Sequence, residues 1–279
     1  MSKRKDRKLT KLELSYLEEL ELYDKVLAFT ALVSLNQHNI QTDGRGIRAV
    51  KIFTRQTLTA ISLSKLLPRP ISSRPTDEDV WDITSIASLT RNIIETYLSM
   101  YYFGTEKICE SEAELRFFIL QLHRNLEWYS IRKQEMDLTE LKQFEDGIAN
   151  EKIRIKNHVY LSKLPKDQRI RAIQFREMYK TKVEFEQELY VCKDLRIHYR
   201  QLSNLVHPLP LSIERIDNGK GRGLGTDPDV NYSLIFVMLA RRYLAASVIG
   251  IVNHFPNELG KKLKNELELI RPLENAGFN

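Results

Sequence analysis

The most apolar part of the chain is YSLIFVMLARRYLAASVIGIVNHF, residues 232–255. Arg241 and Arg242 divide it into apolar runs of about eight and ten residues, well short of the roughly twenty that a membrane-spanning helix needs. A helix of this composition that does not span a membrane has to be covered by other parts of the protein. The stretch therefore predicts a buried core helix and a protein without membrane association.

The rest of the chain shows the same helical pattern. Between its few clusters of proline and glycine, apolar residues recur at helical spacing, and no period-two strand is evident. Longer helices are predicted over about 9–38, 46–66, 76–103, 111–133, 137–164, 183–207 and 230–254, with short ones after Pro165 and at the C-terminus. The predicted fold class is therefore all-α, a multi-helix bundle of about seven or eight helices.

Local signals place the ends of several predicted helices. Thr76, followed by Asp79, is typical of an N-cap with acidic residues in the first turn. Gly104 is the expected residue after the end of that helix. Ser111 and Glu114 have the spacing of a capping box. The charge-rich helix predicted over 137–164 is expected on the outside of the protein.

Composition limits the class of protein. The chain has 279 residues, of which 42% are hydrophobic and 29% charged, as in soluble globular proteins. Two cysteines are too few for a disulfide framework, which favours a cytoplasmic protein. The basic start runs directly into LELSYLEELELYDK, so no secretory signal is predicted.

The formal net charge of +6 is concentrated at the N-terminus. The segment MSKRKDRKLTK carries +5, and the remaining 268 residues carry only +1. A basic arm of this kind either contacts phosphates or serves as a solubilising tail, and the tail is the simpler interpretation. The body of the chain has no overall basic bias.

Motifs for metal and nucleotide binding are incomplete. The chain contains no Glu-x-x-His, no His-Glu-x-x-His and no Cys-x-x-Cys. Asp194 and His198 are four residues apart, but a lone pair is more typical of a surface contact. In GKGRGLGTD, Lys220 lies between glycines and no strand precedes it, unlike in a P-loop, although Lys220 and Arg222 could approach a phosphate. No metal and no cofactor are predicted.

Two polar groups stand out within apolar helices. In TRNIIETYL, Arg91 and Glu95 are four residues apart, which permits an ion pair on one helix face. The second group is in YRQLSNLVHP, residues 199–208, where polar residues two turns apart fall on one side of a helix. Its members are Tyr199, Arg200, Ser203, Asn204 and His207.

An arginine followed by a histidine after four to six residues, late in a helical bundle, resembles the signature of the HEPN superfamily of nucleotide-binding domains. Arg200 and His207 match it, as do Arg116 and His123, and the surrounding Tyr199 and Ser203 favour the later pair. TRNIIETYL followed by HYRQLSNLVHP also resembles a mostly bacterial all-helical domain of unknown function placed near that superfamily. The resemblance spans roughly 80–255, with Gln201 where Asn, Asp or His commonly follows the arginine.

The resemblance implies an HEPN-like core at 77–279, with a basic tail and helical extension at 1–76. It also implies a metal-independent endoribonuclease that acts as a homodimer on RNA, of toxin or phage-defence type. His207 would be the general acid or base, Arg200 would stabilise the phosphate, and Ser203 or Asn204 would orient groups. Arg91, Glu95 and Tyr199 would support this site.

Two alternatives remain open at this point. A histidine in the last turn of a helix interacts favourably with the helix dipole and can cap free carbonyls, so the polar group could be purely structural. The protein would then be a non-catalytic helical module that binds a protein or nucleotide. A small-molecule enzyme with a pocket around Glu95 and His207 is the third possibility.

Overall fold

The computed structural model describes residues 9–69, 80–207, 210–214, 223 and 225–274. It is 80% helical, and the described residues form eleven α-helices and no strands, which confirms the all-α prediction. The helices are α1 (Lys11–Asn36), α2 (Gly44–Leu66), α3 (Ile83–Met100), α4 (Glu110–Arg132), α5 (Leu138–Lys156), α6 (Lys166–Ile173), α7 (Lys182–Glu188), α8 (Leu195–Val206), α9 (Pro210–Ile213), α10 (Asp227–His254) and α11 (Lys264–Ile270).

The chain divides into two compact units. Residues 1–105 together with 186–279 form one, called here the main unit, and residues 106–185 form the other, called the inserted unit. The predicted boundary at residue 76 lies in 70–79, outside the described residues, and α1 and α2 belong to the same unit as α3, α8 and α10.

The main unit is built around α10, as its apolar composition predicts. This helix packs against α1, α2 and α3, and 17 of its 28 residues are buried. By length and composition alone α10 could cross a membrane, but 78% of its most apolar 18 residues are buried inside the protein. Because α10 packs against helices on several sides, its apolar side chains are removed from water, and it supplies much of the hydrophobic core.

The two arginines in the middle of α10 are both buried and both bonded. Arg241 forms an ion pair with Glu19 of α1 and donates to the carbonyl of Leu273, while Arg242 donates to the carbonyl of Tyr190 at 2.7 Å. Burial raises the pKa of Glu19, and the Arg241 guanidinium opposes that shift. The charges that interrupt the apolar stretch therefore tie α10 to its neighbours.

The inserted unit contains α4, α5 and α6, with α4 packed against α5 and against a short 3₁₀ turn at Val159–Lys163. Asp137 caps α5 by accepting from the backbone N–H groups of Thr139 and Glu140, both at 2.8 Å. Only Ile148 and Ile155 of α5 are buried, which agrees with the prediction of an outer helix.

Three predicted helix ends are wrong. Helix α3 ends at Met100 and continues as a π-helical turn through Thr105, so Gly104 is not a left-handed C-terminal residue. Gly104 is needed instead for close packing, because a Cβ there would lie 2.6 Å from the Cβ of Ala49. The cap of α4 is Cys109 rather than Ser111, and α5 stops at Lys156.

The predicted long helix over 183–207 is two helices. Between α7 and α8 the chain forms a 3₁₀ turn at Tyr190–Cys192, and Asp194 adopts a left-handed conformation with φ +62°. Aspartate tolerates this conformation better than most residues, which lets α8 start in a new direction. The predicted N-cap at Thr76 is also wrong, because residues 80–82 are not helical and Asp82 caps α3 by accepting from the backbone N–H of Ser85 at 3.0 Å. Thr76 itself, the basic residues 3–8, and Lys220 and Arg222 lie outside the described residues.

Candidate functional site

Helix α8 presents one apolar and one polar face. Leu195, Leu202 and Leu205 are buried and face α3, against which α8 packs. Their spacing of seven and three residues returns to the same side of a helix. The opposite side therefore faces solvent.

The predicted catalytic residues lie on or beside this solvent side. Arg200 and His207 are exposed, and Ser203 and Asn204 are half-buried. His207 ends α8, with its backbone N–H 3.4 Å from the carbonyl of Ser203, and its own carbonyl accepts from Ser212 Oγ at 2.7 Å. The side chains of Arg200 and His207 make no hydrogen bond with any described residue. Ser203 Oγ is buried without a hydrogen-bond partner among the described residues.

The supporting residues form one cluster between α3 and α8. Arg91 Nε donates to Glu95 Oε1 at 3.2 Å and to Tyr199 Oη at 3.1 Å, and Arg91 Nη2 donates to Tyr199 Oη at 2.7 Å. The Tyr199 hydroxyl in turn donates to Glu95 Oε1. The guanidinium also lies 4.8 Å from the centroid of the Tyr199 ring. The ion pair suggested by the four-residue spacing is therefore formed, and Tyr199 joins it.

The charges of this cluster are stabilised by one another. Burial raises the pKa of the Tyr199 hydroxyl, and its hydrogen bond to Glu95 raises it further. Burial works to lower the pKa of Arg91, but the Glu95 carboxylate and Tyr199 outweigh it and raise the pKa. Both shifts favour a charged Arg91 beside a neutral Tyr199.

The cluster is only partly closed. The Glu95 side chain is 44% exposed and the Arg91 side chain 24% exposed. Arg91 Nη1 and Glu95 Oε2 have no hydrogen-bond partner among the described residues. The main unit therefore has unused donors and acceptors at this cluster, and free side chains of Arg200 on α8 and of His207 at the C-cap of α8.

A second polar cluster, in the inserted unit, was not predicted. Arg116 is 2% exposed and donates to Glu106 Oε2 at 2.6 Å, to Tyr179 Oη at 3.1 Å and to Glu112. Glu112 also accepts from Tyr160. Arg116 was one of the two arginines at the motif spacing from a histidine. The spacing of Glu112 and Arg116, four residues apart, was the signal that could have revealed the buried pair.

Metal binding finds no support in the part of the chain that the structure describes, where no group of three or more His, Cys, Asp or Glu side chains could hold an ion. Of the glycine-rich connection before α10, only Gly223 and Gly225 are described. Gly223 accepts from the backbone N–H of Trp81 at 3.1 Å. Gly225 has φ +73°, and a Cβ there would lie 2.7 Å from Trp81 Nε1. The described end of the connection is thus fitted against Trp81.

The described fold and site define an all-helical protein with a partly open polar site along α8. Comparison of the chain with models of protein families, with curated proteins and with solved structures gives no match.

Proposed function

We propose that the protein is an HEPN-like, metal-independent endoribonuclease of toxin or phage-defence type, which acts in the cytoplasm as a homodimer. The observation that supports this is the state of Arg200 and His207. Both side chains are exposed, Arg200 on α8 and His207 at its C-cap, and neither is used in a hydrogen bond within the described protein. A histidine kept only as a helix cap would be bonded to the carbonyls that it caps.

The proposed reaction uses the side chains of two copies of the chain and the RNA, without a metal ion. His207 takes the proton from a ribose 2′-hydroxyl, and the 2′-oxygen attacks the adjacent phosphorus. The bond from phosphorus to the 5′-oxygen breaks, and that oxygen is protonated as it leaves. Arg200 donates to the phosphate oxygens, on which negative charge increases in the transition state. The products carry a 2′,3′-cyclic phosphate and a 5′-hydroxyl.

A second copy of the chain completes the site in this proposal. One histidine cannot both accept the 2′-proton and donate to the leaving oxygen in the same step, whereas a two-fold axis beside α8 brings two histidines to one phosphate. Arg91, Glu95 and Tyr199 then have a positioning role, because they join α3 to the helix that carries Arg200 and His207.

The test is cleavage of end-labelled RNA by the purified protein in the presence of EDTA. We expect products that end in cyclic phosphate, with the rate lowered by about 10²- to 10⁴-fold in His207→Ala and in Arg200→Ala. His38→Ala is the matched control, since His38 is also an exposed histidine of the main unit. The absence of cleavage by the wild-type protein, or equal cleavage by His207→Ala, would contradict the proposal.

A non-catalytic helical binding module is the second candidate. The bonded state of Tyr199 favours it, because Tyr199 bonds both Arg91 and Glu95 as a structural residue would. In that case Tyr199→Phe lowers the stability of the protein, and the variants at Arg200 and His207 change neither stability nor any RNA product.

A further inference from the structure

The charge of the body is divided unevenly along the chain. Residues 152–182 contain ten basic residues against two acidic ones, a net charge of +8, while the other 248 residues together carry −2. The basic residues are Lys152, Arg154, Lys156, Lys163, Lys166, Arg169, Arg171, Arg176, Lys180 and Lys182. The inserted unit therefore contains a strongly positive segment, which the net charge of the whole chain does not reveal.

Most of this charge is available to a ligand. Arg171 is paired with Glu184 at 2.8 Å, and Lys180 with Glu106 at 2.5 Å. Six other basic residues are exposed and have no acidic partner in the described part of the chain. They are Arg154, Lys156, Lys163, Lys166, Arg169 and Arg176.

An aromatic ring lies among these cations. The Nζ atoms of Lys152 and Lys156, on successive turns of α5, lie 5.8 and 5.9 Å from the centroid of the Phe175 ring. The ring is half-buried and keeps part of its surface open, and the exposed Arg176 follows it directly. Phe175 is thus a partly open aromatic surface bordered by positive charge.

The backbone of Phe175 is strained. It lies two residues after the end of α6 and has φ +57°, its N–H donates to the carbonyl of Ala172 at 3.0 Å, and the N–H of Arg176 donates to the carbonyl of Arg171 at 3.2 Å. These two bonds form a Schellman motif, in which the left-handed residue is usually glycine. A bulky side chain in this conformation is an outlier, and such strain is concentrated at functional sites.

We propose that the surface formed by Lys152, Lys156, Phe175 and Arg176 binds single-stranded nucleic acid. An unpaired base stacks on the Phe175 ring, and the cations contact the phosphates on either side of it. An acidic peptide or an anionic membrane would use the charge, but neither needs an aromatic ring held in a strained position. The inference concerns binding by the inserted unit and does not depend on cleavage at His207.

The first test is fluorescence anisotropy of the full-length protein with labelled oligodeoxythymidylate. This strand lacks the 2′-hydroxyl, so the proposed cleavage cannot alter it. We expect Phe175→Gly to weaken binding roughly ten- to hundredfold, since one stacked base is lost. Glycine is the usual residue at this position, so the variant keeps the fold, which circular dichroism checks. Phe175→Tyr keeps the ring and should bind within about twofold of wild type.

The second test concerns the cations. Lys152→Gln combined with Lys156→Gln removes two phosphate contacts, which should reduce the slope of log affinity against log salt by about 1.4. Lys261→Gln combined with Lys262→Gln is the matched control. It changes the net charge equally at exposed residues of the main unit and should leave the slope unchanged.

The outcomes separate this inference from the proposed function. Loss of binding in Phe175→Gly and in the Lys152/Lys156 variant supports the surface, whether or not the protein cleaves RNA. Equal binding by wild type and Phe175→Gly, or binding to phosphatidylserine vesicles without binding to the oligonucleotide, overturns it. Cleavage of RNA by a protein that does not bind the oligonucleotide supports the site on α8 and rejects this surface.

Discussion

Two clusters of the molecule use the same three kinds of side chain in different surroundings. In the main unit, Arg91 bonds Glu95 and Tyr199, and in the inserted unit Arg116 bonds Glu112 and Tyr179. Both arginines donate from Nε to the tyrosine oxygen at 3.1 Å, and both tyrosine hydroxyls donate to the glutamate. The ion pairs both join residues four apart on one helix.

The two clusters differ in burial and in the number of partners. The Arg116 side chain is 2% exposed, against 24% for Arg91, and the Glu112 side chain is 12% exposed, against 44% for Glu95. Around Arg116 the remaining groups are also bonded, to Glu106 and Tyr160. Around Arg91, one guanidinium nitrogen and one carboxylate oxygen have no partner among the described residues.

The comparison shows that residue type and helical spacing do not distinguish a structural cluster from a candidate site. A buried network has to satisfy all its polar groups, because each unpaired one costs the full desolvation energy. A half-exposed cluster leaves its spare groups to water, and these groups remain available to a ligand. Burial and the number of further partners therefore separate the two cases.

The largest expected effect is that of removing each arginine. Arg116→Ala leaves two carboxylates in the inserted unit without their shared partner, and we expect it to lower the free energy of unfolding by about 3–5 kcal/mol. Arg91→Ala removes a half-exposed pair and should cost at most about 1 kcal/mol. Urea denaturation followed by circular dichroism measures both. If the two variants lost the same free energy of unfolding, the difference in burial between the clusters would have no energetic consequence, and the prediction would be wrong.

A smaller difference is expected from the tyrosine hydroxyls. Tyr179→Phe removes an acceptor of Arg116 Nε and a donor to Glu112 Oε1 from a buried network, and should cost about 1–3 kcal/mol. In Tyr199→Phe, water can replace the hydroxyl, so we expect about 1 kcal/mol or less. Thermal denaturation of the two variants is a matched comparison, since each loses one oxygen atom. A larger loss of stability in Tyr199→Phe than in Tyr179→Phe would mean that the Arg91 cluster, and not the Arg116 cluster, is the one shielded from water.

The smallest expected effect is on the pH dependence of stability. Burial works to raise the pKa of Glu112, but hydrogen bonds from Tyr160 and Tyr179 and the charge of Arg116 outweigh it and lower the pKa below its ordinary value of 4.5. A carboxyl with a lower pKa in the folded state stabilises the fold above its unfolded pKa. That stabilisation is lost as the pH falls through the folded pKa.

The measurement for this prediction is the urea midpoint between neutral and acid pH. Glu112→Gln should lower stability at neutral pH and flatten the decrease toward acid pH. Glu127→Gln changes an exposed carboxylate on the same helix and is the control, with the wild-type profile expected. An acid profile of Glu112→Gln as steep as that of wild type would contradict the prediction.

Much of the fold followed from local patterns. The apolar stretch around Arg241 predicted the central helix, and apolar spacing predicted the existence of most others. The ends were less predictable, because Gly104 serves close packing against Ala49 rather than a turn. The sequence did not predict the break before α8, because aspartate at 194 is compatible with both a continuous helix and a left-handed turn.

The site was predicted in part. The spacing of Arg91 and Glu95 indicated their pairing, and the resemblance around residues 199–208 directed attention to Tyr199, which joins them. The net charge of the chain does not predict the surface around Phe175, because the charge of +8 in residues 152–182 is offset by acidic residues elsewhere in the chain. A strained backbone at Phe175 has no signature in the sequence, since a helix can end at almost any residue.

The amino-acid sequence by itself determined the helical class of the protein and the central position of α10, because both follow from the periodicity and amount of apolar side chains. Only the tertiary structure decided which polar cluster is buried with its groups bonded and which is partly exposed to water. Arg116 and Arg91 have similar neighbours along the chain. Their difference arises from groups outside their own helices, Tyr179 and Glu106 for one and Tyr199 for the other, and from how much water reaches each cluster.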